Sequence, residues 1–141
     1  MTGFLLDTNC VSEAARRQPE PRVRKWMEAA DEDLLYLSVL TLGEIRKGIA
    51  SLPQGTRRTQ LETWLEIDLR PRFAGRILPV DEPIADRWGT LAEEAGRRGK
   101  VLSVIDALLA ATAQHYNLTI VSRNVSHFTA VQVPIVNPWE A

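Results

Sequence analysis

The chain has one cysteine, Cys10, among 141 residues. It therefore makes no internal disulfide and offers no second thiol for a zinc cluster. A reducing cytoplasm is the expected compartment, and Cys10 reads as a small buried filler. No apolar run reaches the roughly 18–20 residues of a membrane span. The N-terminus also lacks the charged stretch and apolar segment of a secretory leader. A soluble chain without membrane contact is expected. Charge of one sign is missing too, since the formal net charge is −1. That excludes coating nucleic acid through bulk charge, so any nucleic-acid role must come from a local site. The two histidines, His115 and His127, do not share a helix face. A zinc site is not expected from them, and both read as surface or hydrogen-bonded residues. There is no GxxxxGK[ST] loop and no GxSxG elbow. An aspartyl-nucleophile phosphatase usually needs an acid two positions after the first, where Asn9 stands instead.

What is present is a chain of one-domain size, residues 1–141, with 45% hydrophobic residues to fill a core. Its organising stretch is Phe4-Leu5-Leu6-Asp7-Thr8-Asn9. A short apolar run that stops at an acid and small polar residues reads as a buried strand. Asp7 then lies where that strand leaves the core. In open α/β sheets, ligands bind beyond the carboxyl ends of the strands. Taken alone, Asp7 or Asn9 is equally well explained as the cap of the next helix.

Further strands are expected at residues 34–38, 76–80 and 118–122, with a short last one in 131–136 held to an edge by Pro134. Helices are expected at 9–16, 22–30, 41–51, 56–69, 83–98 and 103–117. Thr41 and Glu44 match a capping box for the third helix, and Pro71 is expected to end the fourth. Ser103 is placed to cap the last helix, with Asp106 in its first turn, where the dipole favours an acid. Strands alternating with helices imply a mostly parallel sheet covered on both faces, a three-layer α/β domain. Trp26 and Trp64 read first as core.

Asp7, Glu44, Asp106 and Asn124 each fall near the carboxyl edge of that sheet. Clustered carboxylates repel, and burying them together is unfavourable unless a cation compensates. Mg²⁺ and Mn²⁺ prefer carboxylate, carbonyl and water oxygen. The acids therefore suggest metal-assisted hydrolysis of a phosphoester. Arg46, Lys47, Arg97, Arg98 and Lys100 are either phosphate contacts or a solvated face.

Four stretches in this order resemble the PIN-domain ribonucleases, most closely toxins of the VapC and FitB type. They are Leu5-Leu6-Asp7-Thr8-Asn9, residues 37–45, residues 104–113, and Ile120-Val121-Ser122-Arg123-Asn124, with Val136-Asn137-Pro138-Trp139 at the close. The resemblance implies a PIN-like fold and a Mg²⁺- or Mn²⁺-dependent endoribonuclease. It implies Asp7 and Asp106 as direct or water-mediated metal ligands. Glu44 would position the metal or the attacking water, and Ser122 and Thr8 would hold carboxylates or waters. It also implies an RNA substrate, a small DNA-binding antitoxin as partner, and a homodimer. The chain departs from the pattern at Asn124 and at His127, where many relatives carry acids. The departure keeps a second function open, a PIN module that binds RNA or a protein partner without cleaving. A third is a small-molecule phosphohydrolase using the same carboxylates.

Overall fold

The computed structural model describes residues 2–141. Five strands form one parallel sheet in the order β3-β2-β1-β4-β5. They are β1 (Phe4–Leu6), β2 (Leu35–Ser38), β3 (Ile77–Leu78), β4 (Thr119–Val121) and β5 (Ile135–Val136). The first strand is thus central. It pairs Leu5 with Tyr36 on one side and with Ile120 on the other.

Side chains alternate across the sheet, so its two faces feed two separate apolar layers. Leu6, Leu35, Leu37 and Val121 enter the layer with Ile45, Leu65 and Phe73. Leu5 and Ile120 enter the other, with Leu109, Ala110 and Phe128. Gly3 precedes β1 where a Cβ would lie 2.9 Å from the Leu118 side chain and 3.2 Å from the Leu34 carbonyl oxygen. Only a residue without a side chain fits that approach.

The helices are α1 (Thr8–Glu13), α2 (Pro21–Ala29), α3 (Val39–Ala50), α4 (Thr56–Thr63), α5 (Arg70–Arg72), α6 (Glu82–Arg97) and α7 (Val104–Tyr116). The three-layer order expected from the sequence is the one observed. Asp81 caps α6, whose Ile84, Leu91 and Ala95 are buried, and α6 packs chiefly on α7. In α7 the alanines carry much of the burial, with Ala107, Ala110, Ala111 and Ala113 all inside. Such low side chains let the helix lie close to its neighbours. Asn117 ends it in the left-handed region at φ 55°, which asparagine tolerates better than most residues. Trp26 and Trp64 are partly buried against the first layer, so core packing accounts for both.

The first helix ends at Glu13 and not near residue 16, and the last strand shortens to Ile135–Val136; two further boundaries differ more deeply. Helix α3 begins at Val39, capped by Ser38, whose Oγ accepts from the Leu40 N–H. Thr41 is not the cap; it is fully buried inside the helix. The Thr41–Glu44 capping box therefore does not form. Glu44 falls in the second turn, free of any duty to the helix end. The second difference lies after α4. The helix widens into π turns over Trp64–Leu69 and continues through Pro71 to Arg72. The Arg70 N–H reaches back five residues to the Leu65 carbonyl. A π turn relieves the clash between a proline ring and the carbonyl four residues back, so Pro71 does not stop the chain.

Candidate active site

The carboxyl ends of β1, β2 and β4 meet on one edge, and the polar residues just beyond them form a connected network. Asp7 follows β1 and caps α1, accepting from the Thr8 N–H at 2.7 Å. Its other carboxylate oxygen accepts from Ser122 Oγ at 2.7 Å. Ser122 follows β4 and is fully buried. Its hydroxyl also accepts from the Asn124 N–H at 2.9 Å and from Asn9 Nδ2 at 3.3 Å. One donor and two lone pairs are thereby all used. Asn9 turns its remaining amide oxygen to the Arg123 N–H. On the other side of Asp7, Thr8 Oγ1 donates to Glu44 Oε1, and buried Thr41 lies behind it. Asp106 enters from the start of α7, where Ser103 Oγ accepts from its N–H. Its Oδ2 is 3.1 Å from His127 Nδ1.

Asp7 is 6% exposed. Burial pushes its carboxyl above the ordinary range. The hydrogen bonds from Ser122 and Thr8 oppose that shift, and the charges of Asp106 and Glu44 add to it. Asp7 thus feels both other acids across the edge. Among the described residues no lysine or arginine pairs with any of them. Such a set fits a divalent cation. Among the described residues no three His, Cys, Asp or Glu side chains lie close enough together to hold a metal ion between them. The arrangement suits a hard ion that keeps several waters, as Mg²⁺ does, better than a closed zinc site.

The structure thus brings Asp7, Glu44 and Asp106 to one place. Asn124 reaches the same edge through its main chain, which supports Ser122, and its side chain caps nothing. Three residues take contacts that the sequence reading did not assign to them. His127 stands against Asp106, although its distance of three residues from Asn124 was a usable signal. Asn9 is a bridge between Asp7, Ser122 and Arg123. Arg123 is the one cation within the edge segments 7–9, 38–44, 103–106 and 122–124. Several of the basic residues proposed as phosphate contacts are already engaged. Arg46 pairs with Glu66, Arg97 pairs with Glu93 at 3.1 Å, and Arg98 donates to the Ala130 carbonyl at 2.8 Å.

Comparison with known proteins agrees with this geometry. A model of the PIN domain matches residues 4–132. The chain is 41% identical over 136 residues to the toxin FitB of Neisseria gonorrhoeae, covering 96% of this chain and 98% of that protein. It is 38% identical to a VapC ribonuclease of Sinorhizobium fredii, covering 97% and 98%. The solved structure of FitAB bound to a DNA fragment superposes with a TM-score of 0.92 at 39% identity, covering 96% of this chain and 95% of that one.

Proposed function

The chain belongs to the PIN domain family, and from that premise we propose that it is an endoribonuclease, the toxin of a toxin–antitoxin pair, dependent on Mg²⁺ or Mn²⁺. The observation that carries the reading is buried Asp7 at a sheet edge where it feels the charges of Asp106 and Glu44 and where, among the described residues, no lysine or arginine pairs with the three. Asp7 and Asp106 would hold the ion, and Glu44 would orient the attacking water. A divalent ion bound there would lower the pKa of that water and offset charge on the phosphate.

The chain's own residues do the positioning. Ser122 and the Thr8 N–H fix the two oxygens of Asp7. Thr8 Oγ1 holds one oxygen of Glu44, leaving the other for water. His127 fixes one oxygen of Asp106, leaving the other toward the site. Outer hydrogen bonds of this kind set the direction of the ligand lone pairs. RNA is the substrate class, as the name of the Sinorhizobium relative suggests. A small antitoxin that also binds DNA is the partner class, in keeping with a relative solved on DNA. Among the described residues no helix is long and apolar enough to cross a membrane.

The test is cleavage of a mixed RNA pool by antitoxin-free protein with Mn²⁺ or Mg²⁺, with EDTA, and beside Asp106→Asn. Cleavage that needs the metal and is lost in the variant is the expected result. Folded, metal-supplied protein that leaves RNA intact would replace this reading by the non-cleaving PIN module. The unengaged Asn124 side chain is the observation that favours that second reading.

A further inference from the structure

The acids and their hydrogen-bond partners do not account for Arg123. Its backbone is locked into the edge. Ser122 before it holds Asp7, its own N–H donates to Asn9 Oδ1 at 3.3 Å, and the Asn124 N–H after it donates to Ser122. Its side chain is exposed, yet it is not loose. The guanidinium carbon lies 5.5 Å from the centre of the Trp139 ring. Trp139 is itself a fixed platform, 8% exposed and packed into the first apolar layer. Its N–H donates to Asn137 Oδ1 at 2.9 Å, and Pro138 stiffens the short 3₁₀ turn that carries it.

Among the described residues Arg123 has no carboxylate within ion-pair distance. Glu20, at the start of α2, is near enough to feel its charge, but the closer partner of Glu20 is Arg22 at 3.0 Å. A guanidinium resting over a ring face spends few of its N–H groups there and keeps the rest free to donate. The guanidinium fork matches two oxygens of a phosphate. A protein with net charge −1 must concentrate its attraction for RNA where it matters. Arg123 is the cation placed to do so.

We propose that Arg123, held on Trp139, is a phosphate clamp that grips the RNA backbone beside the acidic edge. The proposal rests on the ribonuclease reading and adds a substrate-positioning residue to it. Trp139 serves as backing and is too enclosed to stack a base.

The experiment measures binding of a labelled single-stranded RNA across a salt series, and separately kcat and KM for its cleavage with Mn²⁺. It compares the parent with Arg123→Gln and Arg123→Lys, each checked for folding by circular dichroism and thermal unfolding. Arg123→Gln should raise Kd and KM about tenfold and leave kcat within about threefold. Its plot of log affinity against log salt should flatten by about 0.7, the loss of one phosphate contact on a single strand. Arg123→Lys should restore the salt slope and leave KM raised, because an ammonium keeps the charge without the fork. If Arg123→Gln does not fold, Arg123→Lys alone decides, and a parental KM would overturn the clamp. A parent that cleaves RNA while Arg123→Gln keeps the parental KM and slope would overturn the clamp alone. A fall in kcat at unchanged KM would also overturn it. A parent that neither binds nor cleaves RNA would remove the ribonuclease reading and this inference with it.

Discussion

Ser122→Ala is the most informative single change, because one hydroxyl carries three bonds in the network. The bond to Asp7 has a charged acceptor, worth about 1.5–3 kcal/mol. The Asn124 N–H and the Asn9 amide sit nearer solvent and can recover water, costing roughly 0.5 kcal/mol each. The sum is a loss of about 2–4 kcal/mol near neutral pH, or about 10 °C in Tm for a chain of this length. The loss depends on pH. Burial raises the Asp7 carboxyl, and the Ser122 bond opposes that rise by favouring the ionised form. The bond therefore contributes fully above the pKa of Asp7 and fades as pH falls through it. In the variant that pKa lies higher still, so its native state takes up the proton earlier and regains stability relative to the parent in acid. Urea unfolding of parent and variant, stepped from about pH 8 to about pH 4, gives ΔΔG at each pH. A difference that shrinks in acid is expected. A pH-independent difference, or one under about 0.5 kcal/mol throughout, would refute the charge-coupled account.

Gly3→Ala should cost about 1–3 kcal/mol in urea unfolding, because the new methyl meets the Leu118 side chain and the Leu34 carbonyl with no room to retreat. Parental stability would mean that β1 can shift in its register. Asn124→Asp should leave stability within about 0.5 kcal/mol, since the side chain is exposed and caps nothing. It should tighten Mn²⁺ binding in calorimetry by adding a carboxylate to the edge. If metal affinity and cleavage are both unchanged, residue 124 is no part of the site.

Most of the frame was legible because each strand is bounded by strong local punctuation. Leu6-Asp7 and Val121-Ser122 switch from apolar to polar within one residue, and that switch is also what delivers the site. The α3 boundary was not legible. Ser38 and Thr41 are three residues apart and both carry a capping hydroxyl, and only the depth of Thr41 beneath Asp7 and Glu44 decides between them. The helix beyond Pro71 was hidden because a π turn depends on how Leu65 and Leu69 reach the core, and no local motif encodes that. The partners of Arg123 and His127 were hidden for a different reason. These, Trp139 and Asp106, are 16 and 21 residues away in sequence, and only the return of the chain alongside β4 brings them near.

The central place of β1 has a consequence for synthesis. Phe4 to Leu6 must wait for Thr119 to Val121 before their second edge is paired. Asp7 cannot receive the Ser122 hydroxyl until then. Asp7 therefore stays without its buried partner until 115 further residues have been added to the chain.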